Sequence, residues 1–514
     1  MRQLLSGSGQ SVQSEEECSS DTGYSIHGSS DSDSRPQEGH CPSPIQALVP
    51  DILACIFMFA IPKGDFDLAV NWNRNAPHNV VAVCRYWRAV ALSHTMLWAV
   101  IRLRGIHPHD CFDRRPFPWN QFYYLLQRSD EAPLDLSIDQ FDLTDKDYVE
   151  LTSFFSTHQH RCKHIHIDCD ANVQSSHDFS TEKAIELTNI PLLESLHIHW
   201  NKNIPQVQIH LKYVPSLTAL DLSGRFSLHL EGAVTLKLIH ITLSTMCLVS
   251  PHECLMLLRI CPALVSFSAE ICLDLDTKGH DDVFSYICNP GLTTFKVLVN
   301  KLSVLQYILQ PLHFPTLKDL TIMIPEDEGE TDALGISALI SRSSAPIESL
   351  HLHATVSEEI IQCLELLPGL EDLTVDTYIE EPNSTQSDFV TRLDLRREDA
   401  LCPKLKSIAL VDFMLFDCTD EVISMVTSRW DRDIEEGSRT LQRVSFTDCD
   451  LDDISDLDRC REEGLILEVE REYDSARDSD YNEDPGLESY EYKYTGYDSF
   501  EENDSDGAFY EDYN

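Results

Sequence analysis

The sequence predicts an α/β protein in which a small helical module precedes a solenoid of strand–helix repeats, with disordered acidic or serine-rich termini. Three observations predict this fold. Two apolar segments near the N terminus have helical spacing, the pattern L-x-x-L-x-[ILV] recurs through the middle, and both ends are rich in polar residues. The 514 residues leave room for two or three domains, and a hydrophobic content of 42% is enough for sizeable cores.

A repeated motif fills the middle of the chain. In its clearest form a proline precedes the pattern, as in Pro191-Leu-Leu193-Glu-Ser-Leu196-His-Ile198. Other clear copies begin at Pro215, Pro290, Pro315, Pro368 and Pro403, and weaker copies at Cys162, Leu236, Leu264, Ile347 and Leu441. Their spacing averages about 28 residues, near the long end of the range for leucine-rich repeats. The asparagine usual in such repeats is mostly missing, so the pattern resembles degenerate leucine-rich repeats.

Each repeat predicts a short strand that places alternate apolar residues into a core. The segments between the strands, such as Pro251–Ile260 and Ser303–Leu312, have the spacing and length of helices. One unit alone cannot bury its apolar face, so neighbouring units are expected to stack. The expected result is a solenoid with parallel strands on the concave side and helices outside.

The residue between the two inward strand positions is predicted to face outward. Repeat by repeat, these residues are His166, His197, Asp221, His240, Ser268, Lys296, Thr321, His351, Thr374, Ala409 and Ser445. The first four are expected to form a ladder, because adjacent strands lie about 4.8 Å apart. His199 and His353 follow two residues further along their strands. Either the strands simply tolerate histidine at exposed positions, or this face binds a ligand and its charge changes near neutral pH.

The net charge of −47 is unevenly distributed: residues 129–470 carry −34, residues 471–514 carry −12, and residues 45–128 carry +4. A negative field repels phosphate backbones and anionic lipid, so neither nucleic acid nor membrane is an expected partner. The same field is expected to raise the pKa of the imidazoles and to favour a protein substrate with a basic face. The candidate substrate-binding residues are His166, His197, His199, Asp221, His240, His351 and His353.

Two apolar segments between Leu48 and Val100 have helical spacing. Pro50 suits a first helical turn, where its missing N–H would have no partner in any case. The first segment then has apolar residues at Ile52, Leu53, Ile56 and Phe57. The second has them at Val80, Val83, Cys84, Trp87, Val90 and Ala91, and it is followed by Leu97 and Trp98. Periodicity alone predicts a generic three-helix core.

The order of Pro50-x-Ile52-Leu53-x-x-Ile56-Phe57, Cys84-Arg85-x-Trp87-Arg88 and Leu97-Trp98 resembles the two halves of an F-box. About 20 residues separate the halves, and Val49 intervenes between Leu48 and Pro50; such extended forms are similar to the expanded F-box-like families of mushroom-forming fungi. The resemblance implies docking onto the Skp subunit, which is acidic as a family, and through it onto a cullin ligase. The implied Skp-binding residues are Pro50, Ile52, Leu53, Ile56, Phe57, Val83, Cys84, Trp87, Leu97 and Trp98.

These observations divide the chain into five segments. They are a disordered serine-rich arm (1–43), an F-box-like helical domain (44–104), a linker and helix (105–129), a degenerate leucine-rich-repeat solenoid (130–470) and a disordered acidic, tyrosine-rich tail (471–514). The expected function is a substrate-recruiting adaptor of an SCF-type ubiquitin ligase. The alternative is a leucine-rich-repeat scaffold without a ligase, whose N-terminal helices cap the repeats.

The sequence contains no glycine-rich phosphate loop, no G-x-S-x-G elbow and no H-E-x-x-H motif, so no enzyme activity and no cofactor are expected. One cluster offers zinc-ligand residue types, but its spacing matches no structural zinc pattern: His158, His160, Cys162, His164, His166 and Cys169. The repeat places Cys162 on the core side. Seventeen scattered cysteines, with polar residues soon after Met1, predict reduced thiols in the cytoplasm or nucleus.

Overall fold

The computed structural model describes residues 48–60, 78–104, 117–139, 144–169, 183–200, 206–231, 236–244, 247, 249–271, 286–324, 334–377, 384–415, 418–436, 441–449, 451 and 454–470. The chain divides into two compact units, Met1–Leu53 and Ala54–Asn514. The arms predicted to be disordered, 1–43 and 471–514, lie outside the described residues, and the predicted domain boundaries stay predictions.

Helices and strands alternate through most of the described chain. The α-helices are α1 (Pro50–Ala60), α2 (His78–Val83), α3 (Arg85–Ser93), α4 (Trp119–Ser129), α5 (Asp145–His158), α6 (Pro251–Ile260), α7 (Leu302–Leu309), α8 (Ile336–Ser343), α9 (Glu358–Glu365), α10 (Ser384–Arg392), α11 (Thr419–Glu436) and α12 (Asp458–Glu462). Short 3₁₀ helices cover Thr95–Trp98, Gln159–Arg161 and Ser455–Leu457.

The strands are β1 (Val100–Arg104), β2 (Leu134–Asp139), β3 (Cys162–Cys169), β4 (Lys183–Thr188), β5 (Ser195–Trp200), β6 (Val207–Lys212), β7 (Ala219–Ser223), β8 (Phe226–Glu231), β9 (His240–Ser244), β10 (Ser266–Ile271), β11 (Ile287–Cys288), β12 (Thr294–Val299), β13 (Leu312–His313), β14 (Asp319–Met323), β15 (Ser349–His353), β16 (Asp372–Asp376), β17 (Ser407–Val411), β18 (Arg443–Thr447) and β19 (Ile466–Glu470).

Aromatic packing and capping organise the N-terminal helices. The Cys84 sulfur caps α3 by accepting a hydrogen bond from the backbone N–H of Trp87, at 3.4 Å. The Trp87 ring packs against Phe57 of α1, with centroids 5.0 Å apart. The buried indole N–H of Trp98 donates to the carbonyl of Ala91 at 2.8 Å and ties the 3₁₀ helix to α3.

A 14-stranded parallel sheet dominates the fold, which confirms the predicted α/β class with a large parallel sheet. Its strand order is β1-β2-β3-β5-β7-β9-β10-β12-β14-β15-β16-β17-β18-β19. The first strand is β1, which pairs with β2 and starts only two residues after Trp98. The sheet therefore begins before residue 130, where the sequence places the first repeat.

The apolar positions of the motif are buried as predicted. In the first clear copy Leu193, Leu196 and Ile198 are buried, whereas His197 between them is only half-buried. The equivalent residues of the other clear copies are also buried: Leu217, Leu220, Leu222, Leu292, Phe295, Val297, Leu317, Leu320, Ile322, Leu370, Leu373, Val375, Leu405, Ile408 and Leu410. Each repeat thus contributes three residues to one continuous core.

The prediction of a helix in every repeat is wrong between β3 and β9. In the described part of that region the connections contain β4, β6 and β8, which form a second, three-stranded parallel sheet. The physical reason lies in the side-chain period: Val207, Ile209 and Leu211 of β6 are buried, and the residues between them are half-buried. Alternation with a period of two suits a strand and not a helix.

Buried polar side chains satisfy backbone carbonyls near the ends of helices. Arg429 of α11 is almost fully buried and donates to the carbonyls of Leu393, Leu401 and Cys402 at 2.7–2.9 Å. Similar bonds run from Arg161 to Ala132, from Arg342 to Leu309 and Leu312, and from Asn289 to Leu258 and Cys261. In each case a side chain of the next repeat donates to carbonyls of the preceding one and so joins the two repeats.

We predict that Arg429→Met lowers the free energy of unfolding by about 3 kcal/mol, because it leaves buried carbonyls without a charged donor. The matched control is Arg461→Met, at an exposed position on α12. Denaturant unfolding of both variants measures the difference. Equal stability of the two variants would contradict this role of Arg429.

Candidate binding surfaces

One side of helix α1 presents large apolar side chains to solvent. Ile52 is 50% exposed, Ile56 is 45% exposed and Phe59 is 89% exposed. Their spacing of four and three residues places them on the same side of the helix. Val49, just before the helix, is exposed as well. A row of apolar side chains of this kind is typical of a surface that another molecule covers.

Four of the ten residues that the F-box resemblance assigns to Skp binding do not lie on a surface. The structure buries Leu53, Phe57, Leu97 and Trp98. The packing of Phe57 against Trp87 and the indole hydrogen bond of Trp98 explain why at least two of them are inside. Of the other six, Pro50, Ile52, Ile56 and Val83 are exposed, and Cys84 and Trp87 are half-buried.

A second surface is the outward side of the 14-stranded sheet. Strand pairing places the outward residues of neighbouring repeats directly beside one another, as the sequence predicts for most of them. From β1 to β19 the row reads Arg102, Ser137, His166, His197, Asp221, Thr242, Ser268, Lys296, Thr321, His351, Thr374, Ala409, Ser445 and Glu468.

The structure corrects the ladder at its fourth position. Asp221 pairs with Thr242, and His240 lies two residues earlier on β9. In this weak repeat the motif begins at Leu238 and not at Leu236. A shift of two residues keeps every side chain on the same face of the strand, so the alternating pattern does not reveal it.

Three imidazole–carboxylate pairs lie across β2, β3, β5 and β7. The pairs are His166 Nε2 with Asp139 Oδ1 at 3.1 Å, His197 Nδ1 with Asp221 Oδ2 at 3.4 Å, and His199 Nδ1 with Asp168 Oδ1 at 3.6 Å. The Ser137 hydroxyl donates to the other oxygen of Asp139 at 2.9 Å, and the rings of His166 and His197 lie 5.9 Å apart. The three carboxylates give this patch a negative charge whenever the imidazoles are neutral.

A smaller group of histidine and aspartate side chains lies on β15 and β16. His353 Nδ1 is 2.6 Å from Asp376 Oδ2, and both side chains are largely buried. Burial lowers the pKa of His351, although the charge of Asp376 acts in the opposite direction. The expectation that the negative field raises the pKa of the imidazoles is therefore wrong for His351. Loss of hydration disfavours its charged form more than the carboxylate favours it, so His351 is neutral at pH 7.

Cys162 of the proposed cysteine–histidine cluster faces the core, as predicted. Burial raises the pKa of its thiol to about 12, which keeps the sulfur protonated and unsuited to metal binding at neutral pH. Within the residues that the structure describes, no group of three or more His, Cys, Asp or Glu side chains is arranged to hold a metal ion.

Comparison with protein-family models and with curated proteins gives no match. Across the described helices, none combines the length and the apolar character that a membrane crossing needs.

We predict that Asp221→Cys with Thr242→Cys forms a disulfide on mild oxidation, whereas Asp221→Cys with His240→Cys does not. Directly paired residues lie about 4.8 Å apart, and a shift of two residues increases the Cα distance to about 8 Å, beyond disulfide reach. Mass spectrometry of peptides prepared without reduction measures the linkage. Efficient linkage of residues 221 and 240 would contradict the observed register.

Proposed function

We propose that the protein is a non-catalytic adaptor that recruits substrates to an SCF-type ubiquitin ligase. In this proposal an F-box built on α1 to α3 binds the Skp subunit, and the leucine-rich repeats bind a protein substrate. The observation that carries it is the exposed apolar side of α1, formed by Ile52, Ile56 and Phe59. Full burial of a side chain of this size contributes about 1.5–3 kcal/mol, so covering the exposed parts of these residues favours docking.

Two further features support the Skp part of the proposal. Two of the three exposed residues, Ile52 and Ile56, belong to the motif that resembles the F-box. The region from 45 to 128 carries a net charge of +4 in a chain of −47, a sign suited to the acidic Skp family. The seventeen cysteines are scattered without a dense disulfide-like spacing, which suits a reducing compartment such as the cytoplasm or nucleus.

The outward side of the sheet is the proposed substrate-binding surface. Asp139, Asp168 and Asp221 lie within about 3–4 Å of imidazoles, so the charges are held in place across neighbouring strands. A substrate with lysine or arginine side chains can contact the more exposed carboxylates of Asp168 and Asp221, and the ionic attraction weakens as salt rises. Residues 129–470 add a net charge of −34 that favours the same class of partner.

A repeat scaffold without a ligase is the alternative function. One observation favours it: the helical module runs directly into the sheet. The Trp98 ring packs edge-on against Tyr124 of α4, with centroids 6.1 Å apart, and β1 starts two residues after Trp98. Helices packed in this way can serve as an N-terminal cap for the repeats.

We predict that Ile56→Asp reduces Skp binding at least about 30-fold, because it places an unpaired charge in a desolvated apolar contact. Val149→Asp is the matched control, since Val149 is an exposed apolar residue on α5, outside the module. Pull-down and titration calorimetry with purified Skp subunit measure the effect, and melting curves check that both variants are folded. Full Skp binding by folded Ile56→Asp protein would favour the scaffold.

We predict that His197→Ala with Asp221→Ala weakens substrate binding about tenfold and leaves Skp binding unchanged. The double variant removes the Asp221 carboxylate and the His197 imidazole that lies beside it. The control is Thr374→Ala with Ser445→Ala, on the same side of more distant strands. A substrate found by proximity labelling in cells would be titrated at low and high salt. Normal binding by the His197/Asp221 variant would place substrate recognition elsewhere.

A further inference from the structure

A thiol and an imidazole face each other on the two-stranded sheet of β11 and β13. Cys288 and His313 are direct partners in the strand pairing, and their Sγ and Nδ1 atoms lie 3.4 Å apart. Backbone hydrogen bonds flank the pair, from Ile287 N–H to the Pro311 carbonyl at 2.7 Å and from Asn289 N–H to the His313 carbonyl at 3.3 Å. The geometry is thus set by backbone pairing and not by flexible side chains alone.

Cys288 differs from nearly all other cysteines of the described chain. Cys288 and Cys55 are exposed, whereas the other described cysteines are buried or, for Cys84, half-buried. Burial raises the pKa of Cys254 and Cys261 to about 12, so these thiols stay protonated and unreactive. Among the cysteines that the structure describes, Cys288 and Cys55 are therefore the ones open to thiol chemistry with small molecules, and Cys288 has an imidazole at hydrogen-bond distance.

A tyrosine completes the group. The Tyr286 ring lies 5.2 Å from the His313 ring. Three effects raise the pKa of Tyr286: desolvation, which is the largest, the charge of Cys288, and a hydrogen bond to the Cys288 sulfur. The hydroxyl therefore keeps its proton at neutral pH and can donate it in a hydrogen bond to a developing thiolate.

We propose that Cys288 is a modification site that forms a reversible mixed disulfide with low-molecular-weight disulfides, assisted by His313. His313 Nδ1 accepts the thiol proton while the sulfur attacks one sulfur of the disulfide. The disulfide's S–S bond breaks, a new bond joins Cys288 to one half, and the other half leaves as a thiolate. The imidazolium returns the proton to that thiolate, so one thiol and one disulfide are consumed and one of each is produced.

The test exposes the reduced full-length protein to glutathione disulfide at pH 7.5, blocks the remaining thiols at timed intervals, and measures the adducts by peptide mass spectrometry. Cys55 serves as the internal reference. We expect Cys288 to react about tenfold faster than Cys55, and His313→Gln to bring the two rates within about threefold of each other. His240→Gln, at an exposed histidine elsewhere, should leave the ratio unchanged.

Equal rates for Cys288 and Cys55 in the wild-type protein would overturn the proposal, and so would a His313→Gln variant that is folded and reacts at the wild-type rate. If His313→Gln does not fold, Tyr286→Phe replaces it. That variant removes only the hydroxyl of an exposed residue, and it should slow Cys288 about threefold while Cys55 is unaffected. An unchanged Cys288 rate in folded Tyr286→Phe protein would then count against the assisted reaction.

Discussion

The structure depends on the shared register of its parallel strands. Leu196 lies between Ile165 on one side and Leu220 on the other, so each inward side chain is buried only because its neighbours are in line. Each buried residue of this kind contributes about 1.5–3 kcal/mol. A slip of one residue would turn all of them to solvent, and for this reason the pairing is strongly specified. The same register places His166, His197 and Asp221 side by side on the outward face.

The stacking of repeats creates a second requirement at the ends of the helices. Carbonyls there accept hydrogen bonds from the next repeat, and the long side chain of Arg429 donates to three of them. Asn289 meets a similar need with its amide. Neighbouring repeats are thus joined by strand pairing on one side and by buried polar bonds on the other. The two-stranded sheet that contains Cys288 is likewise formed by strand pairing between successive repeats.

Helix α1 divides its apolar residues between two tasks. Phe57 is buried against Trp87, whereas Ile56 and Phe59 face solvent. The exposed set adds nothing to the core, and its exposed apolar area is unfavourable in water. This division makes the exposed side a feature that mutation can test without unfolding the module. The proposed ligase contact and the proposed substrate contact use different residues, so mutation can remove the two proposed functions independently.

The repeats, their inward residues and most of the outward row were determined by the sequence itself. An L-x-x-L-x-L pattern predicts which side chains of a strand share a face, because successive side chains point to opposite faces. The tertiary structure alone decided the position of His240, because a shift of two residues leaves the face unchanged. It also decided which motif residues of α1 are buried, and the pairing of Cys288 with His313. The two members of that pair are 25 positions apart in the chain. A local pattern does not predict contacts between residues so far apart in the sequence. The two residues come together because β11 pairs with β13.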